Sequence, residues 1–259
     1  MNTPLVTLTT DWGEEAFFSG MVKGLLAGLV DNVRVVDITH RLEPYNIMTA
    51  TFAVRHACLG FPPGTVHIVD VATQLPLLCV KARGQYFLCC DNGMPTMALG
   101  DEIEDVSLLS LPPTGIYNFA AYSVFARVAA MIFDGATMRD IGERPSQLVQ
   151  RPLTRYIQQG ENYRIYVQYI DGYGNAYLGM TYREFEELRN GRQFVLTVRD
   201  QEVLELVAGY YQQSTSNDPR RKLLLTVSAT GLLELAVRRG SLAQLMGLRI
   251  NDSVLLRFK

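Results

Sequence analysis

The first thirty residues restrict the fold most, because a short apolar run there gives way to a helical stripe across a three-residue break. Leu5-Val6-Thr7-Leu8-Thr9-Thr10 has the pattern of a strand buried on both faces. After Asp11-Trp12-Gly13, apolar residues recur at 17, 18, 21, 22, 25, 26 and 29, the spacing of one helix face. Residues 33–38 read as the next strand and 47–59 as a second helix. Residues 65–70 and 86–89 read as strands separated by a turn at Arg83-Gly84, and 118–133 as another helix. Such alternation predicts an α/β layer on a mostly parallel sheet.

The pattern changes after about residue 145, where Pro145 and Pro152 bracket a polar connector. Short strand-like runs at 163–170, 193–198, 222–227 and 253–258 are punctuated by turn signals at Asp171-Gly172, Asn190-Gly191, Asn217-Asp218-Pro219 and Asn251-Asp252. The leucine-rich segment 232–248 reads as the one helix among them. The expected fold class is therefore α/β: a larger N-terminal α/β domain over 1–150 and a small C-terminal β-rich domain over 151–259.

Charge and composition narrow the function. Residues 1–150 carry 9 Lys/Arg against 15 Asp/Glu, a net of −6; residues 151–259 carry 15 against 11, a net of +4. That basic surplus is too thin for a nucleic-acid face, but opposite signs suit docking of one domain on another, within or between chains. No apolar run reaches the roughly 18 residues of a membrane span. The start lacks a basic stretch followed by an apolar one, so no membrane partner and a cytoplasmic location are expected. Cys58, Cys79, Cys89 and Cys90 read as buried free thiols, since adjacent Cys89 and Cys90 in a strand point to opposite faces. The three histidines form no paired zinc motif, so no metal is expected.

Asp11 stands where a first strand ends and a helix begins, the position at which open α/β sheets bind ligands. A carboxylate there can accept hydrogen bonds from both hydroxyls of a ribose; the alternative is a helix cap. The segment Thr10-Asp11-Trp12-Gly13, followed by Gly20-Met21-Val22-Lys23-Gly24, resembles the opening of the S-adenosylmethionine (SAM) hydroxide adenosyltransferases. The resemblance continues through Asp37-Ile38-Thr39-His40, the run Phe61-Pro62-Pro63-Gly64-Thr65-Val66-His67 and Asp91-Asn92-Gly93. It extends to Ile170-Asp171-Gly172-Tyr173-Gly174-Asn175, Gly231-Leu232-Leu233-Glu234-Leu235-Ala236 and Gly240-Ser241-Leu242-Ala243. The order and spacing of these elements span nearly the whole chain.

That resemblance implies a larger N-terminal α/β domain plus a small C-terminal β-barrel-like domain, assembled as a homotrimer whose ligand lies between the N-terminal domain of one subunit and the C-terminal domain of the next. It implies SAM as substrate or ligand with no further cofactor, and conversion of SAM and water to adenosine and methionine. Asp11 matches the family's ribose carboxylate. Tyr45 matches a position beside the ligand, and Asp171, Tyr173 and Asn175 match the adenine-side element. Without a ligand, Tyr45 and Tyr173 would be core-edge aromatics and Asn175 part of a tight turn.

Asp70 matches the aspartate of the family's water-handling Asp–Arg–His set, within a VVDPGVG-x-x-R element. Here it is followed by Val71-Ala72-Thr73-Gln74-Leu75-Pro76-Leu77, with neither glycines nor arginine. Ala120 stands at the histidine of the family's FHGRD motif, which leaves Asp70 expected alone with an ordinary pKa near about 4. The halogenating branch is disfavoured because it carries an aromatic residue at the Asp70 position. Ala16 replaces a second acidic residue, and Ser228-Ala229-Thr230-Gly231 replaces the segment that holds the methionine carboxylate. Arg127, seven residues past Ala120, either takes over the cationic role or faces outward, the reading its distance along the helix favours. Three readings stay open: an adenosyl-binding protein with weak or lost hydrolysis, an active SAM hydrolase, and a structural or partner-binding oligomer.

Overall fold

The computed structural model describes residues 3–15, 17–111, 119–210 and 223–259. The chain divides into two units, Met1–Pro152 and Leu153–Lys259.

The first unit runs β1 (Leu5–Thr10), α1 (Phe18–Leu29), β2 (Arg34–Thr39), α2 (Ile47–His56), β3 (Val66–Asp70), β4 (Leu77–Ala82), β5 (Gln85–Cys90), α3 (Met94–Leu99), β6 (Ile103–Leu108), α4 (Ala126–Phe133) and α5 (Met138–Ile141). Its six-stranded sheet has the order β2-β1-β3-β5-β4-β6. The β2-β1-β3-β5 portion is parallel, while β4 pairs antiparallel with both β5 and β6. Helices cover both faces. Val6, Leu8, Ile68, Cys79 and Cys90 pack with Val22 and Leu26 of α1 and with α4. Val69, Leu78, Val80, Phe87 and Cys89 pack with Ala50 and Val54 of α2 and with α3. Strand alternation thus sends Cys89 and Cys90 to opposite cores, and all four cysteines are buried free thiols, as expected. Truncating fully buried Leu26 to Ala would cost about 3–5 kcal/mol.

The predicted N-terminal strands and helices are present with shifted ends. The second helix stops at His56 and passes through a 3₁₀ turn at Cys58–Gly60. The predicted helix over 118–133, whose first residue lies outside the described ones, is a π-helical turn at Ala121–Phe125 continued by α4.

The second unit runs β7 (Tyr156–Gln159), β8 (Asn162–Ile170), β9 (Ala176–Thr181), α6 (Tyr182–Arg189), β10 (Phe194–Val198), β11 (Gln201–Val203), β12 (Leu223–Val227), β13 (Leu232–Val237), α7 (Leu242–Met246) and β14 (Ser253–Phe258). Its antiparallel sheet follows β11-β10-β14-β8-β9-β13-β12. Leu206, just past β11, bridges Leu225 of β12, and Val207 N–H donates to Leu225 O at 2.9 Å. The two ends of the sheet meet there, giving a nearly closed barrel around Ile165, Leu178, Leu196 and Leu235.

One expectation fails: 232–248 is not a helix. Every residue of β13 is buried, so the run lacks both the period-2 and the helical signature. A turn at Arg238 to Gly240 then leads to the short α7. The longer of the two helices described in this unit, α6, is announced by a capping box in which Thr181 and Glu184 satisfy each other's backbone N–H groups. The predicted turn at 217–219 and residue 222 lie outside the described residues.

Candidate functional site

In the first unit, parallel pairing aligns Thr10, the last residue of β1, with Asp70, the last residue of β3. Asp11 follows directly, so two carboxylates stand side by side at the carboxyl ends of adjacent strands, where such sheets bind ligands.

Asp11 is half-buried and does not cap α1, whose N-cap Phe17 makes no side-chain cap bond. Its Oδ2 instead accepts from the backbone N–H of Tyr45 at 2.9 Å and of Ala72 at 3.4 Å. Both donors sit in left-handed backbone, φ 66° for Tyr45 and 49° for Ala72, a conformation that costs non-glycine residues about 1–3 kcal/mol. One carboxylate oxygen thus braces two strained loops, and no described residue donates to the other. The Tyr45 ring is 80 % exposed.

Asp70 is buried, and the Thr73 hydroxyl donates to its Oδ1. Burial pushes its pKa up to about 6, opposed by hydrogen bonds from Thr73, the Ala121 backbone and Trp12, and reinforced by the charge of Asp11. The ordinary pKa expected from sequence is thereby corrected. Trp12 is steadied by stacking on His40, with ring centroids 5.8 Å apart, and His40 Nδ1 lies 2.7 Å from Thr10 Oγ1. A cavity of about 260 Å³ opens beside Asp70, walled by Trp12, Phe119, Thr73, Leu77 and Ala120. Leu77 and Ala120, seven and fifty residues beyond Asp70, thus face the same space. The adjoining π-helical turn at Ala121–Phe125 is the kind of helix irregularity that recurs at functional sites. Arg127 is exposed on α4, whereas Ala120 is buried. Ala16 lies outside the described residues.

The second unit carries the other predicted residues on the loop between β8 and β9. Asp171 organises that loop. Its Oδ1 accepts from the backbone N–H groups of Tyr173 and Asn175, both at 2.9 Å, and its Oδ2 from Asn175 Nδ2 at 3.2 Å. Gly174 is required here: its φ is 83°, and a Cβ would stand 3.0 Å from Ser241 Cα and closer still to the Ser241 side chain. Tyr173 is 82 % exposed, while Asn175 is buried. Ser228 and Thr230 pair with each other through their hydroxyls at 2.7 Å in the turn between β12 and β13.

A cleft of about 860 Å³ adjoins this loop, lined by Tyr173, Asn175, Tyr177, Tyr210, Arg238 and Arg239. Its size is within the roughly 300–1,000 Å³ usual for small-molecule sites. Beneath it lies Glu234, 1 % exposed on β13 and paired in register with Tyr177 of β9. Glu234 accepts a hydrogen bond from the Tyr210 hydroxyl and another from Asn175; burial raises its pKa. Sequence reasoning did not select Glu234, although a single carboxylate within Leu-Leu-Glu-Leu-Ala-Val was a visible signal. Trp12, Thr73 and Leu77 were likewise unselected, because only tertiary packing brings them to Asp70.

Both units have counterparts among known protein domains. Residues 6–142 match the SAM hydroxide adenosyltransferase N-terminal domain, and residues 165–255 match the C-terminal domain. The chain is 28% identical over 262 residues to the (R)-S-adenosyl-L-methionine hydrolase of Salinispora tropica, covering 96% of each chain. It is also 28% identical over 263 residues to the hydrolase of that name from Thermus thermophilus, covering 94% of this chain and 96% of that one. A conserved protein from Thermotoga maritima shares the fold, with a TM-score of 0.85 at 22% identity over 97% of this chain and 99% of that one. A conserved protein from Thermus thermophilus aligns with a TM-score of 0.76 at 25% identity over 99% and 100%. By the match of both domain models along its length, this chain belongs to the SAM hydroxide adenosyltransferase family.

Proposed function

We propose that this protein binds SAM through its adenosyl group and hydrolyses it slowly to adenosine and methionine, with Asp70 as the proton acceptor. The observation that carries this reading is a buried carboxyl with pKa about 6 on the wall of an aromatic cavity. A base poised near neutral pH combines a useful ionised fraction with real basicity. In the reaction the oxygen of water bonds to C5′ as the C5′–S bond breaks. The electron pair leaves on sulfur, which departs as the neutral thioether of methionine, and the water proton passes to Asp70. No acid is needed for that leaving group. The apolar walls favour a step in which opposite charges cancel.

The slowness follows from what lines the same cavity. Leu77 stands seven residues past Asp70, the separation of the family's arginine, and Ala120 stands at the family's histidine. Nascent hydroxide therefore lacks both cationic neighbours, and a positioned proton-transfer partner is worth about 10²–10⁴ in rate. Asp11, with one oxygen undonated, suits the ribose diol. The exposed Tyr45 and Tyr173 rings, together with the opposite charge of the two halves, fit a ligand enclosed by two subunits of a trimer. The test is adenosine formation from SAM by the purified protein and by Asp70→Asn, followed chromatographically.

Loss of both cations also favours a second reading, an adenosyl-binding protein without hydrolysis. Adenosine binding by calorimetry with no turnover at high enzyme concentration would establish it.

A further inference from the structure

The space beside Asp70 is badly matched to a water molecule. It measures about 260 Å³, whereas a single water needs only about 10–15 Å³. Its walls are chiefly apolar. The Trp12 and Phe119 rings stand 4.8 Å apart and those of Phe18 and Phe119 5.0 Å, with Leu77 and Ala120 completing the lining. The Thr73 hydroxyl on the same wall already donates to Asp70 Oδ1. Among the described residues, no lysine, arginine or histidine lines the space. A buried water usually makes about three hydrogen bonds, and few polar groups remain here to hold one in an attacking position.

Acidity points the same way. A carboxyl titrating near 6 is a weak base for water, which ionises near about 15.7. A thiol ionises near about 8.5, so moving its proton to Asp70 is unfavourable by only a few hundredfold, against about 10¹⁰ for water. Hydroxide is compact and needs cationic neighbours, whereas a thiolate spreads its charge over a large, polarisable sulfur that also packs well on aromatic rings.

We propose that this aromatic cavity admits a small apolar thiol as the nucleophile, so that the protein transfers the adenosyl group of SAM to sulfur. This activity rests on the adenosyl reading above and adds a second acceptor to it. The thiol sulfur bonds to C5′ as the bond from C5′ to the sulfonium sulfur breaks. The electron pair of that bond stays on the departing sulfur, which leaves as the thioether of methionine, and the thiol proton passes to Asp70. The products are a 5′-thioether of adenosine and methionine, with nothing oxidised or reduced.

The experiment incubates the full-length protein with SAM alone, with excess ethanethiol and with excess glutathione, and separates adenosine from the adenosine thioethers by chromatography with mass detection. Ethanethiol should give its thioether at least about tenfold faster than adenosine forms. Glutathione, charged and bulky, should react at least about tenfold more slowly than ethanethiol. Ala120→Leu fills part of the cavity and should shift the thioether/adenosine ratio at least about tenfold toward adenosine. Asp70→Asn should abolish thioether formation. Adenosine without a thioether above the protein-free control refutes this inference and leaves hydrolysis standing. Thioether formation that survives Asp70→Asn, or a ratio unmoved by Ala120→Leu, also overturns it, because the reaction then lies outside this cavity. Should Ala120→Leu not fold, the comparison of the two thiols decides: equal rates refute the apolar cavity as the thiol site. Neither product from SAM removes both this inference and the hydrolytic reading.

Discussion

Asp70→Asn should make the protein more stable at pH 8 and leave it nearly unchanged at pH 4. Burial raises the Asp70 carboxyl from 3.8 to about 6 in the native state. In the unfolded chain it titrates near about 3.9. Below pH 4 both states hold the proton and the group is neutral in its effect. Between about pH 4 and 6 the native state binds more protons than the unfolded one, so stability falls as pH rises, and above 6 the loss is complete. Two pH-scale steps at 1.36 kcal/mol each set that loss at about 3 kcal/mol. The Asn amide removes the ionisation but accepts more weakly from Thr73, the Ala121 N–H and Trp12, which offsets about 1–2 kcal/mol. The net expectation is a gain of about 1–2 kcal/mol at pH 8 and none at pH 4. Urea unfolding of both proteins at the two pH values and at one protein concentration reads this directly, provided the m-values agree. A variant destabilised at pH 8, or one whose difference from wild type is the same at both pH values, would refute the argument that burial perturbs Asp70.

Asp11→Ala should cost about 1–3 kcal/mol of stability, because it strips the acceptor from the Tyr45 and Ala72 N–H groups. Asp11→Asn keeps an acceptor oxygen and most of that stability but should lose about tenfold in adenosine affinity; unchanged affinity by titration would remove Asp11 from the ribose site. Ala120→His fills part of the cavity beside Asp70 yet leaves Leu77 in place, so adenosine formation should change by less than about threefold, checked in the same assay as wild type. Light scattering should give about three times the 29.0 kDa chain mass, and a monomer mass at working concentration would exclude a site completed by a second subunit.

The opening of the chain was legible because its periodicity switches cleanly at Asp11, from a buried strand to the stripe of α1. The antiparallel side of the first sheet was not: β4 follows β3 after a short irregular link and turns straight back into β5 at Arg83-Gly84. One apolar stretch there hides two antiparallel strands. In the barrel, β13 deceived because both its faces are buried, while α6 escaped notice although its Thr181/Glu184 box was readable. The candidate residues came from motifs, which carry no record of the tertiary contacts around them. That Asp11 braces two left-handed loops depends on contacts 34 and 61 residues away. The raised pKa of Asp70 comes chiefly from burial, opposed in part by Thr73, the Ala121 backbone and Trp12, and the last two are distant in sequence. Asp171, expected on the ligand, has both oxygens engaged within its own loop.

The central claim meets its most direct test in the pH dependence of adenosine formation from SAM, measured beside the Salinispora tropica hydrolase. The account predicts turnover at least about 100-fold below that relative, rising with pH through about 6 as Asp70 ionises, and abolished in Asp70→Asn. Turnover equal to the relative's, or turnover that survives Asp70→Asn, would contradict it.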